Sequence, residues 1–243
     1  MCSDAGRKIP LMRKPAALLL FLSALFAPPV LAQDGADRFV QSAPAAQTAS
    51  LRAYGPFKVV DASHAVMDGV TDERSPAQFA AMLQDFPEIT TLTMQECPGT
   101  FDDRANLKVG RMIRAAGIVT YVPAGGSVRS GGVELFLAGV ERRIDDGAEF
   151  AVHAWEDAAG LEASDYSATA PENRKYLAYY REMGMSEGEA SAFYAMTNSV
   201  PHEQARWLDA AEMRRWLGQN GSMTETAPAP PRLAYLDLNA LLN

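Results

Sequence analysis

The chain has 243 residues, 48% of them hydrophobic, with 22 Lys+Arg against 30 Asp+Glu for a formal charge of −8. This length and apolar content suit one large folded domain or two small ones, and the acidic balance disfavours nucleic acid or an anionic membrane surface as a partner. Its two cysteines, Cys2 and Cys97, are too few for a disulfide-stapled scaffold or a cysteine-rich zinc site, and the composition excludes collagen and coiled-coil classes.

Residues 1–32 have the order of a secretory signal. Arg7, Lys8, Arg13 and Lys14 precede an apolar run from Ala16 to Ala27, and Val30, Leu31 and Ala32 form a small-residue exit. The run is about twelve residues, whereas a membrane-spanning helix needs about 20. The expectation is therefore export to the periplasm or beyond, with no stable membrane anchor after cleavage. The exported chain would carry 18 Lys+Arg and 29 Asp+Glu, a charge of −11, with Cys97 as its lone thiol. A small buried apolar position suits that thiol better than a nucleophile's role.

Residues 33–55, rich in Ala, Gln and Ser, read as a linker or arm, and the folded domain is expected over 56–220. In chain order, Phe57–Ala62 predicts a strand. A helix follows, N-capped by Ser75 with Pro76 in its first turn and Phe79, Met82, Leu83 and Phe86 on one face. Glu88–Gln95 is strand-like, and Asp102–Ala116 predicts a helix stopped by Gly117. Ile118–Val122 reads as a parallel strand covered on both faces, the loop Pro123–Arg129 leads to a short apolar helix over Gly131–Ala138, and Glu149–Trp155 is a further strand. Helices follow from Glu172–Met183 and after two capping pairs, Ser186 with Glu189 and Asp209 with Glu212, the last ending at Gly218. Residues 221–243 comprise a Pro-rich spacer and a short apolar tail. The alternation of strands and helices predicts an α/β fold with parallel crossovers and a C-terminal helical segment.

In such folds, ligands and reactive groups gather where strands end and helices begin. Two loops there are glycine-bearing: Glu96–Thr100, and Gly125–Gly132, which sets Ser130 at the mouth of the short apolar helix. The first N–H groups of a helix lack intrahelical partners and favour negative charge, so Ser130 has the setting of a nucleophile beside an oxyanion site. A serine needs a base, and His153, at the end of the next strand, would reach the same end of a parallel sheet. His64 and His202 read as surface or satisfied histidines. Arg142, Arg143, Arg214 and Arg215 read as solvated surface charges. His153 and Glu156 offer two metal ligands without a third, and no glycine pattern for nucleotides or for a Gly-x-Ser-x-Gly elbow is present, so no cofactor is expected.

The run Ser130–Gly139, with His153 after it, resembles the nucleophile helix of the Clp protease proteolytic subunit and its exported relatives in the crotonase-like superfamily. Cys97-Pro98-Gly99-Thr100 is similar to that family's Ser-Pro-Gly-Gly loop, and Trp207–Glu212 to the segment that closes its domain. The resemblance spans roughly residues 56–218 and implies a crotonase/ClpP-like domain. It further implies Ser130 as nucleophile, His153 as general base, and the N–H groups of Gly99 and Gly131 as oxyanion hole. The implied activity is hydrolysis of peptide or other acyl bonds, with a peptide or protein substrate and self-assembly into an oligomer. Three positions depart from the pattern: Thr100 replaces a glycine, Arg129 a small residue, and no Asp lies between Tyr166 and Leu208 where the family's aspartate is due. Asn198 is then the group expected to orient His153, ahead of His202 and Glu203. A degenerate member that binds peptide or assembles without catalysis is the alternative.

Overall fold

The computed structural model describes residues 50–219. The expected signal segment, most of the expected arm, and the spacer with its apolar tail lie outside the described residues.

The fold is α/β, with a nine-stranded sheet and six helices among the described residues. It opens with β1 (Arg52–Tyr54), β2 (Phe57–Val59) and β3 (His64–Asp68), paired antiparallel in sequence. The domain therefore takes in Arg52 to Gly55, which the sequence assigns to the arm. Tyr54 is the reason: it is buried, and its hydroxyl donates to Asp85 at 2.6 Å, anchoring β1 to α1 (Ser75–Asp85). Arg74, not Ser75, is the N-cap of α1; Ser75 is fully buried and its hydroxyl accepts from the Asp72 N–H at 2.9 Å.

Helix α1 crosses over to β4 (Thr91–Cys97), which runs parallel to β3 and is the point where the sheet divides. Thr91–Thr93 pair with β5 (Val119–Val122), while Glu96 and Cys97 pair with β6 (Ser127–Arg129). One branch continues from β5 to β7 (Arg142–Ile144), the other from β6 to β8 (Glu149–Val152), all parallel, and β9 (Arg206–Asp209) closes the second branch antiparallel to β8. Helix α2 (Asp103–Ala115) links β4 to β5, with Asp102 as N-cap accepting from the Ala105 N–H at 2.9 Å. The lone thiol, Cys97, is buried, and burial drives its pKa upward, so it packs as an apolar group.

Helix α3 (Gly131–Leu137) lies in the fork between the branches, and all seven of its residues are buried. Burying Leu135, Phe136 and Leu137 there contributes about 2 kcal/mol each. Helix α4 (Pro171–Glu182) meets α2 through the Arg111–Glu182 ion pair and α3 through the Tyr179 and Tyr180 hydroxyls on Glu134, and α5 (Glu187–Thr197) packs against α4, with the Ser186–Glu189 capping box formed as the sequence predicts. In α6 (Ala210–Trp216), Arg214 is buried rather than solvated. Its guanidinium donates to the Ile144 carbonyl at 2.9 Å and pairs with Asp146, so hydrogen bonds compensate the desolvated charge. Among the described residues no helix is long and apolar enough to cross a membrane.

Candidate active site

The parallel pairing of β6 with β8 sets the site. Arg129 lies opposite Ala151, and the ladder extends one step further, with the Ser130 N–H donating to the Ala151 carbonyl at 2.9 Å. Ser130 then leaves the sheet as the N-cap of α3, and His153 leaves the adjacent strand at the same end. Both line one cavity of about 340 Å³, together with Gly131, Asn198 and His202.

Ser130 is the one non-glycine residue with positive φ among those described, at φ 48° and ψ −129°. A Cβ is strained in this conformation. What forces it is the change from the β6 ladder to α3 within a single residue, which turns the side chain outward instead of into the packed fork.

Gly99, predicted to supply an oxyanion donor, lies against the serine. A Cβ on Gly99 would come within 3.0 Å of Ser130 Cβ and 3.3 Å of its Oγ, and φ there is 136°, so this close approach needs glycine. Its carbonyl accepts from the Thr71 N–H at 3.2 Å, which fixes the loop, while its own N–H donates to no group among the described residues. The Gly131 N–H, first in α3, likewise has no partner there. Gly131 is held in place by Asn106, whose Nδ2 donates to its carbonyl at 2.7 Å. Thr100 does not fill this space with a free hydroxyl: its Oγ1 donates to Thr71 and Asp102 carbonyls. Arg129 is likewise drawn off along the sheet, donating to Ser127 Oγ at 2.6 Å and to Glu96.

The expected partner of His153 is different from the one present. His153 Nδ1 lies 2.8 Å from the Ala154 carbonyl, and since a carbonyl only accepts, Nδ1 carries the proton and Nε2 is left with its lone pair. Asn198, expected to orient this ring, is instead the C-cap of α5. Its Nδ2 donates to the Tyr194 carbonyl at 2.8 Å and to Thr197 Oγ1 at 3.1 Å, and its buried Oδ1 has no partner. The helix end takes the amide because Tyr194 and Thr197 are the neighbours that α5 itself supplies. His202 belongs to the site after all: its Nδ1 lies 3.1 Å from the same Ala154 carbonyl, and the two rings meet edge to face at 4.6 Å. Glu203 and His64 are exposed, and His64 is bonded to Asp61.

Behind Ser130 stands a residue that the sequence reading passes over. Glu134, one turn into α3, is 9% exposed, lines the cavity, and accepts from Tyr180 Oη at 2.8 Å. Burial raises its carboxyl to a pKa of about 7, against the lowering effect of the Tyr180 hydrogen bond. The signal was present as a single acid in the otherwise apolar run Val133–Ala138.

Chemically, this end of the sheet supplies a hydroxyl turned outward, an imidazole with a fixed tautomer, and two unpartnered N–H groups beside the hydroxyl. No group of three or more His, Cys, Asp or Glu side chains placed to hold a metal occurs among the described residues.

No family model and no curated protein matches the chain. Among solved structures it is similar to a ClpP1 variant from Listeria monocytogenes, at 16% identity and a TM-score of 0.47 over 64% of this chain and 88% of that one. It is also similar to a 1510-N membrane-bound stomatin-specific protease variant in complex with a substrate peptide, at 14% identity and a TM-score of 0.42 over 64% of this chain and 74% of that one. A second variant of the same protease matches at 15% identity and a TM-score of 0.44, covering 74% and 82%.

Proposed function

We propose that the protein is an exported serine peptidase of ClpP-like type, using Ser130 as nucleophile and His153 as general base. The observation that carries this reading is the convergence on one cavity of a strained Ser130, a His153 ring with its Nδ1 proton tied to a backbone carbonyl, and the unpartnered Gly131 N–H, with the unpartnered Gly99 N–H in the loop that packs against Ser130. His153 Nε2 takes the hydroxyl proton as Ser130 Oγ bonds to the substrate carbonyl carbon, and the two N–H groups receive the oxyanion. Collapse breaks the C–N bond, the imidazolium gives its proton to the leaving amine, and water hydrolyses the acyl-enzyme by the same route. The Ala154 carbonyl does the orienting that a carboxylate performs in a Ser-His-Asp triad, without a negative charge to stabilise the imidazolium. The same reading includes removal of residues 1–32 on export and self-assembly of the folded domain.

The test is labelling by a fluorophosphonate of protein recovered after export. The expected product begins at Gln33 and is labelled, and Ser130→Ala and His153→Ala are not. Folded protein that resists labelling at neutral pH overturns the peptidase reading in favour of a peptide-binding relative.

A further inference from the structure

The buried wall of the cavity offers hydrogen-bond acceptors and little to donate. Glu134 follows Ser130 by four residues, one turn along the same face of α3. Its Oε1 accepts from Tyr180, and no Lys or Arg among the described residues pairs with its carboxylate. Asp103, by contrast, already has Lys175 at 3.8 Å and the Tyr176 hydroxyl. The other hydroxyl protons of the wall are committed too: Tyr194 donates to Asn173 Oδ1, and Thr197 to the Tyr194 carbonyl. Both ends of the Asn106 amide are used, by Thr71 and by the Gly131 carbonyl. Asn198 Oδ1, buried without a partner, is one more open acceptor. Trp155 and Tyr176, stacked at 6.0 Å with 21° between their planes, also line the cavity, and Lys175 Nζ already lies over both rings, at 5.4 and 4.8 Å.

A buried carboxyl and an orphaned amide oxygen match a cation that carries several N–H donors. We propose that this cavity receives the side chain of a lysine or arginine at the residue whose carbonyl Ser130 attacks, with Glu134 as its counter-charge. The inference rests on the Ser130–His153 reading for the bond that is cut. Length agrees with charge: the carboxyl lies one helical turn from the nucleophile, within the reach of a four-carbon stem or its guanidinium counterpart. In the unfilled cavity burial holds the Glu134 pKa up, and an arriving ammonium or guanidinium favours the carboxylate, so the ion pair forms as the side chain seats. A leucine or phenylalanine there would bury the same acceptors with nothing to pair them.

Fluorogenic peptides that differ only at this residue test the proposal, with norleucine as a lysine stem lacking its ammonium. Lysine or arginine is expected to exceed norleucine in kcat/KM by about tenfold or more, with glutamate the poorest. In Glu134→Gln, which keeps an oxygen for Tyr180, that ratio is expected to fall close to one. Norleucine cleaved as well as lysine by the unaltered protein overturns the proposal, as does a lysine preference that survives Glu134→Gln. If no peptide is cleaved, the peptidase reading fails, and fluorescence anisotropy on Ser130→Ala decides the binding half. Preferential binding of a peptide ending in lysine over one ending in norleucine sustains it, and equal or absent binding overturns it. Should Glu134→Gln fail to fold, the lysine-to-norleucine ratio of the unaltered protein still decides between the two outcomes.

Discussion

Ser130 is held at φ 48°, in a conformation that costs a residue with a Cβ about 1–3 kcal/mol. The surrounding ladder to Ala151 and the first turn of α3 maintain it, which is how the hydroxyl is turned outward from a packed fork. Removing the Cβ should relax the strain, at the cost of extra chain entropy in the unfolded state. We therefore expect Ser130→Gly to be more stable than Ser130→Ala by about 1 kcal/mol in urea denaturation, with both inactive. Equal stabilities would mean that the turn is unstrained. At this scale the sequence was informative where chemistry follows chain position: Ser130 and His153 each end a strand, and both line the cavity. It was uninformative about the Ala154 carbonyl that orients His153, because every residue carries a carbonyl and only the path of the chain after β8 aims this one. Asn198 has the right functional group for that work, but its neighbours in α5 claim its amide first.

Elements with their own local signals were legible, and those defined by partners were not. Asp102 and the Ser186–Glu189 pair mark helix starts because caps are local hydrogen bonds between near neighbours. The three-residue strands β6 and β7 are too short to show alternation, and they exist because β4 and β5 offer them edges. Helix packing depends on one feature of this kind. Gly110 in α2 lets Tyr179 of α4 pass close enough for its hydroxyl to donate to the Glu134 carbonyl at 2.7 Å. A Cβ on Gly110 would stand 1.9 Å from Tyr179 Oη and 2.8 Å from Cζ, so Gly110→Ala must displace the ring and break that bond. Alanine's better helix propensity, about 1 kcal/mol, offsets only part of this. The expected result in urea unfolding is a net loss of about 1–3 kcal/mol. The loss should be smaller when alanine is introduced into a Tyr179→Phe background, which lacks the clashing oxygen. Additive effects would show that the two helices do not meet through this contact.

For the whole molecule, stability against pH depends on which native groups hold protons differently from the unfolded chain. Asp61 is lowered to about 2, first by the Ser63 backbone N–H and then by His64, so its contribution is present above the ordinary carboxylate range and fades only in strong acid. Glu134 acts in the opposite direction and is buried in the wall of the cavity. Its native pKa of about 7 exceeds the unfolded value, so between these limits the native state binds more protons and stability falls as pH rises. The contribution is full below about pH 4.3 and is lost as pH passes through 7, by an amount on the order of 3 kcal/mol. The groups that face this carboxyl are the Tyr180 hydroxyl, which steadies the ionised form, and Asp103, whose charge opposes it. The variant differs from the unaltered protein only at Glu134, so the other groups cancel in the comparison. Unfolding free energies of the unaltered protein and of Glu134→Gln, measured from pH 5 to 8, should therefore converge at the acid end and diverge toward pH 8, the variant becoming the more stable. Parallel curves would place the Glu134 titration at its ordinary pH and mean that water or a cation reaches this carboxyl in the native state.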